Sequence, residues 1–293
     1  MNLINLIFTK LLYFSFVYLP KSKFFDKILC FLQFFLIHKR FPSNQKIFND
    51  VLYKIKTSNE IDDPLRVFTT DKEFCKIFLK QIIDEKFVVP SLLITNKIDE
   101  IENFKITNNC IIKPTHLAGI CIYKKKNDKI NDIDKIKIKK WLLSNHYLET
   151  RERNYLNLKS KIIIEPLLFD NFNLTDFKFF CYNGKAKIIM LDSDIFLNKS
   201  RTFFDLNWNK LEISLGNFEK NNSNYIKPKN LDEMITLSEK ISKYFKFIRV
   251  DLFSDGNTIF VGEITHIHAG ATQRFTPNDF ISEKEFSKFI FNS

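Results

Sequence analysis

The scarcity of glycine limits what this chain can be more than any other feature of its sequence. There are six glycines in 293 residues, and none of them precedes Gly119. The phosphate-binding loop GxxxxGK[ST], the dinucleotide-binding loop GxGxxG and the nucleophile elbow GxSxG are therefore all absent. Their absence excludes P-loop ATPases, Rossmann dehydrogenases, eukaryotic-type kinases and ordinary α/β-hydrolases. A nucleotide, if one is used, must be bound in another way.

The charge of the chain indicates which kinds of partner it meets. Its net charge is +11, from 45 basic and 34 acidic residues. Such a charge favours anionic partners, including nucleotides, sugar phosphates, acidic polysaccharide and the inner leaflet of a membrane. The lysines are spread along the chain, with no aromatic RNA-binding motif and no compact basic helix, so we expect no nucleic-acid partner. The five cysteines are scattered and form no CxxC pair, which is typical of reduced, buried thiols in a cytoplasmic protein.

The first forty residues differ from the rest in being strongly apolar. Residues 3–19 and 22–38 are two apolar runs that contain lysines and are separated at Pro20. A spanning helix needs about 20 uninterrupted apolar residues, so neither run is typical of one. A cleavable signal is not expected, because no small-residue cleavage site follows Leu19. Three interpretations stay open: two helices packed on the main domain, which we favour, peripheral contact with the inner membrane through residues 1–38, or a true anchor.

From about residue 70 the pattern alternates between helices and strands. Asn183-Gly184 lies between two apolar runs and predicts a hairpin, and Asp255-Gly256-Asn257 predicts another. Asn230 and Glu233 have the spacing of a capping box at the start of a helix. The pattern is that of an α+β protein with antiparallel hairpins. The predicted elements are a helix from 71 to 85, another from 133 to 143, and strands at 87–94, 109–113, 120–123, 161–168, 176–182, 185–191, 247–253 and 259–265.

The last hairpin brings two carboxylates together. With its pairing centred on Asn257, Phe253 is opposite Val261 and Asp251 is opposite Glu263, and cross-strand neighbours have Cβ atoms about 5 Å apart. Two such carboxylates repel each other unless a cation joins them, and Mg²⁺ prefers one or two carboxylates together with substrate phosphates. Arg249 shares their face and can meet a phosphate. The alternative is that Arg249 simply neutralises two solvated acids.

Two further features are compatible with a nucleotide site. Lys113 ends a strand and precedes a loop that Gly119 closes, and such a loop can cover a triphosphate. On the predicted strand 176–182, Asp176 and Lys178 share one face while Phe177, Phe179 and Cys181 share the other. Any half-exposed strand shows the same alternation, so each feature alone is a weak indication.

The order of these motifs resembles the TupA-like branch of the ATP-grasp superfamily, which is associated with teichuronic-acid-type and other bacterial surface polysaccharides. The resemblance covers roughly residues 40–280, and the order is more specific than any single motif. An upstream stretch, residues 40–56 and 69–74, also resembles the N-terminal signature of that branch. The motifs are IIKPTHLAG (111–119), IIIEPLL (162–168), TDFKFFCYNGKAKIIMLD (175–192), RTFFD (201–205), FIRVDLF (247–253) and FVGEIT (260–265).

The resemblance implies an ATP-grasp fold, in which two α+β lobes with antiparallel sheets clasp ATP, preceded here by an N-terminal helical segment. It implies four regions: the apolar basic segment 1–40, a substrate-side region 41–110, an ATP-grasp core 111–275 and a C-terminal tail helix 276–293. One departure is that Leu117-Ala118 replace the glycine and serine usual in the loop. The implied roles are ATP binding by Lys113, His116, Glu165, Asp176 and Lys178, Mg²⁺ binding by Asp251, Glu263 and Thr265, and catalysis by Arg201, Arg249 and Lys178.

The resemblance also implies the reaction: a carboxylate–amine ligase that uses ATP and Mg²⁺ and forms an amide through an acyl-phosphate. The carboxylate and the amine would be small molecules or parts of a glycan, used in capsule or surface polysaccharide biosynthesis in the cytoplasm. Two alternatives remain. Asp192-Ser193-Asp194 is a DxD motif, as in many glycosyltransferases that bind a sugar nucleotide, and a membrane-associated scaffold without activity would also keep the fold.

Overall fold

The computed structural model describes residues 3–170, 174–193, 200–216, 225–276 and 279–291. The helices in these ranges are α1 (Leu3–Tyr18), α2 (Lys23–His38), α3 (Phe48–Thr57), α4 (Pro64–Thr70), α5 (Lys72–Ile82), α6 (Ile98–Glu102), α7 (Asp132–Leu143), α8 (Tyr147–Thr150), α9 (Leu231–Ser242) and α10 (Asp279–Phe291). The strands are β1 (Leu93–Thr95), β2 (Cys110–Pro114), β3 (Ile122–Lys124), β4 (Ile162–Pro166), β5 (Asp176–Tyr182), β6 (Lys185–Ser193), β7 (Ser200–Phe204), β8 (Lys210–Leu211), β9 (Ser214–Leu215), β10 (Phe247–Ser254), β11 (Ile259–Thr265) and β12 (Phe275–Thr276).

The strands form two main antiparallel sheets, which confirms the predicted α+β class. The small sheet has the order β1-β4-β2-β3 and the large sheet the order β11-β10-β5-β6-β7-β8, while β12 and β9 pair separately. The β5–β6 hairpin turns at Asn183 and Gly184, whose φ angles of 50° and 74° are those that a tight hairpin turn requires. The chain therefore makes two lobes, each built on its own sheet.

The large sheet is covered on both faces because its strands alternate two sets of buried side chains. On one face Phe179 and Val250 pack against α5 and α9. On the other face Phe180 and Phe247 pack against Phe48 of α3, and α10 lies against the same face. This second face is apolar only along part of its length, since charged residues replace the aromatic ones toward the other end of β5 and β10. The charged end is where a ligand can be met.

The β10–β11 hairpin has the predicted Asp251–Glu263 pair, but its turn end is paired differently. Phe253 pairs with Phe260, not with Val261, because the register shifts by one residue between Asp251 and Leu252. Gly262 is the extra residue of this β-bulge, and a Cβ there would lie only 2.6 Å from the Phe253 ring. Near the turn the pairing is not centred on Asn257. The extra residue of the bulge compensates for this, so that Asp251 and Glu263 still lie opposite each other.

Three other local predictions were wrong in detail. The strand expected over 87–94 is reduced to β1, since a 3₁₀ turn ends at Phe87 and Pro90 follows. Helix α5 ends at Ile82, three residues before the predicted end at 85. The side chain of Asn230 does not cap α9; its amide exchanges two hydrogen bonds with Ser254 instead. The two hydrogen bonds between Asn230 and Ser254 join different elements of the fold, which local sequence patterns do not report.

Helices α1 and α2 form an N-terminal hairpin that is fastened to the rest of the protein by polar contacts. The guanidinium of Arg151 donates to the carbonyl oxygens of Phe16 and Leu19 at the end of α1, and to Asp26 of α2 at 3.0 Å. Asp26 also accepts the Tyr147 hydroxyl at 2.6 Å. No helix in the described part of the chain combines the length and apolar character needed to cross a membrane.

Candidate active site

The charged end of the large sheet gathers most of the predicted site residues. Asp176 and Lys178 on β5 share a face with Arg249 and Asp251 on β10, because Asp251 pairs with Lys178 and Phe253 with Asp176. Glu263 joins the same face from β11. In this way three adjacent strands, each with alternate residues facing the same side, place the acids and bases of the predicted site within contact distance.

Arg249 and Asp251 form a bidentate ion pair in this cluster. Arg249 Nε donates to Asp251 Oδ1 and Nη2 donates to Oδ2, both at 2.6 Å, and both residues are buried. A bidentate pair of this kind is geometrically specific and stronger than a single neutral hydrogen bond. Arg249 Nη2 also donates to the Thr265 hydroxyl at 2.9 Å. The alternative left open by the sequence, an arginine neutralising solvated acids, is wrong in one respect: Asp251 is not solvated.

Lys178 lies between three carboxylates. Its ammonium is ion-paired with Asp176, lies 3.2 Å from Asp251 Oδ2 and 3.9 Å from Asp192 Oδ2. Burial lowers the pKa of Lys178, and the charge of Asp251 opposes that effect. The Oδ1 atom of Asp176 is buried and has no hydrogen-bond partner among the described residues. A buried acceptor without a partner is rare in native proteins and is a position where a ligand hydroxyl can donate.

Arg201 is held by Asp192 on the neighbouring strand. Arg201 Nε and Nη2 donate to the two Asp192 oxygens at 2.7 and 3.0 Å, and both side chains are buried. Asp192 is the first acid of the DxD motif considered for a sugar-nucleotide enzyme. The second acid, Asp194, lies outside the described residues. The acid that is described is therefore already bonded to an arginine.

Two residues outside the predicted site set connect the two arginines. His268 Nδ1 accepts from Arg249, and its Nε2 contacts Gln273 Oε1 at 2.9 Å. Arg201 Nη1 donates to the same Gln273 oxygen at 3.0 Å. Burial holds the pKa of His268 well below its usual value, and the nearby charges of Arg249 and Arg201 lower it further. A neutral imidazole that accepts at Nδ1 must carry its proton at Nε2, so it donates to Gln273.

Glu263 is the open carboxylate of the cluster. Its side chain keeps 39% of its exposure, and its Oε1 accepts only a long 3.4 Å hydrogen bond from Thr265. Burial by itself would raise the pKa of Glu263, but four cations hold it below the usual value. These are Lys72, Arg249, Lys178 and Lys113. Arg249 Nη2 lies 3.6 Å from Glu263 Oε1, and the charges of the three lysines act on this accessible carboxylate as well.

A magnesium ion fits this carboxylate pair chemically. Mg²⁺ takes oxygen ligands and is commonly held by one or two carboxylates plus substrate phosphates. Glu263 is free to serve as a ligand, whereas both oxygens of Asp251 are engaged by Arg249. The Thr265 hydroxyl donates to Glu263 and accepts from Arg249, so it orients both. No group of three or more His, Cys, Asp or Glu side chains within the described ranges could hold a metal without a ligand's help.

On the small lobe, Glu165 joins two lysines. Lys113 Nζ lies 2.7 Å from Glu165 Oε2 and Lys76 Nζ lies 2.5 Å from Oε1. Ile111 of β2 pairs with Glu165 of β4, which puts Lys113 and Glu165 on one face of the small sheet. Burial would raise the pKa of Glu165, but Lys113 and Lys76 outweigh that effect and lower it. Glu165 is therefore a buried anion between two cations that face the cleft.

The loop after Lys113 is tied to the start of α5. Asp71 caps α5 and accepts the Thr115 hydroxyl at 2.8 Å, and Lys72 Nζ donates to the Leu117 carbonyl at 2.5 Å. Leu117 itself is buried in the small-lobe core. His116 is buried too, and its Nε2 contacts the Trp141 carbonyl at 3.0 Å. The structure thus places His116 inside the lobe and away from the carboxylates.

Lys72 and Lys76 are the site residues that the sequence reasoning missed. They lie four residues apart on α5, so they share one helix face. Lys76 is paired with Glu165, and the charges of Glu263 and Glu165 act on Lys72. Their spacing was the available signal. It was not decisive, because lysines at this spacing on an amphipathic helix are usually solvated.

Comparison with known proteins identifies the relatives of this arrangement. The profile of the family described as TupA-like ATPgrasp matches residues 39–283. No curated protein matches the chain. The match covers the small lobe and the charged end of the large sheet, from the residue that follows α2 to Glu283 in α10.

Three solved structures are similar to this chain over part of their length. An ATP-grasp ligase, PsnB, complexed with a minimal precursor, is 14% identical with a TM-score of 0.38, over 71% of this chain and 56% of that one. An L-amino acid ligase from Bacillus licheniformis is 12% identical with a TM-score of 0.46, over 75% and 49%. A D-alanine–D-alanine ligase from Helicobacter pylori is 12% identical with a TM-score of 0.42, over 78% and 60%. This chain therefore spans only about half to three fifths of each, and the family profile alone carries the assignment.

Proposed function

Because the chain belongs to the TupA-like ATP-grasp family, we propose that it is an ATP- and Mg²⁺-dependent ligase that joins a carboxylate to an amine. The ATP-grasp fold implied by the sequence resemblance is thereby confirmed. The observation that supports the proposed activity is the position of Glu263, an accessible carboxylate surrounded by cations from both lobes. A triphosphate with its magnesium ion needs this combination of cations and an oxygen ligand.

We assign the residues to nucleotide and metal as follows. Glu263 and Asp251 would hold Mg²⁺, which supplies charge neutralisation at the phosphates. Lys113 and Lys178 would contact phosphate oxygens from opposite walls of the cleft, and the unpaired Oδ1 of Asp176 would accept from a ribose hydroxyl. Thr265 orients Glu263 and Arg249 through its hydroxyl, so its contribution to the metal site would be indirect.

The proposed reaction has two steps. A carboxylate oxygen attacks the γ-phosphorus of ATP, ADP leaves, and an acyl-phosphate forms. The amine nitrogen then attacks the acyl carbon, inorganic phosphate leaves, and the nitrogen loses a proton to give the amide. Arg249 and Arg201 would stabilise the charge on the transferred phosphoryl group, because fixed cations in a dry site cost no reorganisation during the reaction. No protein nucleophile is required.

We propose that the carboxylate belongs to a uronic acid of a bacterial capsule or similar glycan, or to an amino acid destined for it. The support is the family, together with a net charge of +11 that favours acidic substrates. We place the reaction in the cytoplasm, in keeping with five cysteines that form no disulfide.

The test is a screen of uronates and amino acids against amines, with ATP and Mg²⁺, in which phosphate release and product mass are measured. At least one pair should raise phosphate release above the rate with ATP alone and give a product of amide mass. Glu263→Gln should abolish that increase, whereas Asp255→Asn, in the exposed turn of the same hairpin, should leave it unchanged. Product formation from a sugar nucleotide without ATP would contradict the proposal.

A further inference from the structure

The α1–α2 hairpin buries polar side chains against the protein beside Leu29 and Phe34, and it exposes a wide set of apolar side chains together with lysines. Asp26 and Gln33 of α2 are buried against the rest of the protein, where Asp26 meets Arg151 and Gln33 Oε1 accepts from Lys56 at 3.1 Å. On the other face of the same helix, Phe24 is 68% exposed. A surface helix normally shows the opposite arrangement. Removal of the apolar side chains on this outer face from water would therefore be favourable in free energy.

The outer face is large and rich in aromatic residues. Its members from α1, α2 and the following turn are all more than one third exposed, and several stack on one another, as Phe35 does on Phe41 with ring centroids 5.2 Å apart. Exposed apolar patches of this kind mark contact sites. We call this set the hairpin surface: Leu11, Tyr13, Phe14, Val17, Tyr18, Phe24, Ile28, Phe31, Leu32, Phe35 and Phe41.

The exposed charges that the hairpin itself carries are all positive, and Lys23 among them is paired with Asp62 of the main domain at 2.8 Å. The only acidic residue in the first 41 is Asp26, and it is buried in ion pairs. Five lysines of the hairpin and its flanks are exposed to solvent: Lys10, Lys21, Lys23, Lys27 and Lys39. Docking of a second copy would bring two such basic surfaces together without a carboxylate between them. An apolar partner with anionic groups at its edge satisfies both features.

We propose that the hairpin surface docks onto an anionic lipid bilayer. The phenyl rings enter the boundary between headgroups and acyl chains, tyrosines stay at headgroup level, and the lysines meet the anionic headgroups. The hairpin lies on the bilayer and does not cross it, because the buried face of α2 keeps Asp26 and Gln33 in their contacts with the protein.

The contacts behind the hairpin lead directly to the active site. Lys56, which donates to Gln33, also donates to the Gly270 carbonyl at 3.0 Å, and His38 Nε2 contacts the Ala271 carbonyl at 2.9 Å. That loop also contains His268, the partner of Arg249. A docked hairpin therefore fixes how the cleft is presented to the bilayer, which suits substrates that are held at a membrane.

Vesicle co-sedimentation of the full chain tests the proposal. We expect binding to vesicles of phosphatidylcholine with phosphatidylglycerol, weaker binding to phosphatidylcholine alone, and loss of binding as salt is raised. Lys21→Gln, Lys27→Gln and Lys39→Gln combined should weaken binding on the order of a hundredfold, at about fivefold per lysine. Phe24→Ser with Phe31→Ser should reduce binding at least tenfold on both kinds of vesicle.

Matched variants elsewhere on the surface serve as controls. Leu143→Ser with Ile226→Ser removes two apolar side chains that are 88% and 91% exposed, more than any on the hairpin surface, and should leave binding unchanged. Lys126, Lys129 and Lys229, each changed to Gln, remove equal charge outside the hairpin. Thermal unfolding and ATP binding of every variant separate this surface from the proposed ligase activity.

Two results would overturn the proposal. One is a well-folded protein that stays in the supernatant with anionic vesicles at low salt. The other is a hairpin variant that binds vesicles as the wild type does while losing a concentration-dependent dimer in sedimentation velocity, which would make a second copy the occupant.

Discussion

Arg249 holds both carboxylate oxygens of Asp251 at 2.6 Å from a position two residues away on the same face of β10. Both side chains are buried, so water cannot take the place of either partner. The pair therefore contributes to stability as well as to the site, and it leaves Glu263 as the accessible acid opposite Asp251.

Replacement of Arg249 by lysine should be costly although it keeps the charge. A lysine cannot make the bidentate contact, and Asp251 then stays buried with a weaker partner, so we expect a loss of about 2–4 kcal/mol in the free energy of unfolding. Urea denaturation measures it. Arg274→Lys is the control, because Arg274 pairs with Asp279 at an exposed site and the change should stay within about 0.5 kcal/mol. Equal effects of the two replacements would contradict this view of the Arg249–Asp251 pair.

Gly262→Ala should destabilise the hairpin that carries Glu263. The new Cβ would lie 2.6 Å from Cε2 of Phe253, so either the ring or the bulge must move, at a cost of about 1–3 kcal/mol. Phe253→Leu in the wild-type protein should lower the unfolding free energy less than Gly262→Ala does. The double variant should lose less unfolding free energy than the sum of the two single losses. A double-mutant cycle of unfolding free energies measures this coupling, and a coupling of zero would show that the contact is not responsible.

Glu165→Gln should unfold the small lobe more readily. The change leaves the buried Lys76 and the half-buried Lys113 without their common counter-charge, and loss of one partner from a buried ionic group costs about 3–5 kcal/mol. The shift of the urea midpoint measures the loss. Glu100→Gln removes the acid of an exposed pair with Lys97 and should not change the midpoint beyond experimental error. If both variants lowered the midpoint equally, the buried network would not have the importance assigned to it.

Stability should fall as pH rises because of Glu152. Burial raises its pKa from 4.5 to about 7, while Lys56 lowers it in part. Between these values the folded protein holds a proton that the unfolded chain has released. Glu152 therefore contributes roughly 3 kcal/mol to the free energy of unfolding below about pH 4.5. This contribution is lost as the pH rises through about 7. Glu152→Gln should flatten the unfolding free energy between pH 4.5 and 7, and an unchanged pH dependence in that variant would contradict the raised pKa.

The sequence predicted what depends on neighbouring residues and missed what depends on distant ones. The Asn183-Gly184 turn and the Asp251–Glu263 pair follow from local chemistry and strand alternation, and both are confirmed. The bulge at Gly262 could not be foreseen, because it depends on the Phe253 ring across the hairpin. Lys76 reaches Glu165 across 89 positions of chain, a contact that only the folded lobe creates.

The N-terminal helices show a second limit of sequence patterns. The apolar runs 3–19 and 22–38 indicated two helices, but they could not tell which face of each helix is buried. Asp26 is inside because Arg151 and Arg153, more than 120 residues away, compensate its charge. The roles of the site residues toward ATP and Mg²⁺ likewise remain predictions, since they concern ligands.

The most direct test of the account is ATP binding measured by calorimetry with and without Mg²⁺, for the wild type and for Glu263→Gln. The account predicts binding that tightens at least tenfold with Mg²⁺ in the wild type and loses this dependence in the variant. Asp255→Asn should keep the wild-type response, and thermal unfolding should show all three proteins folded. Binding of ATP that is equally dependent on Mg²⁺ in Glu263→Gln, or no ATP binding by the folded wild type, would contradict it.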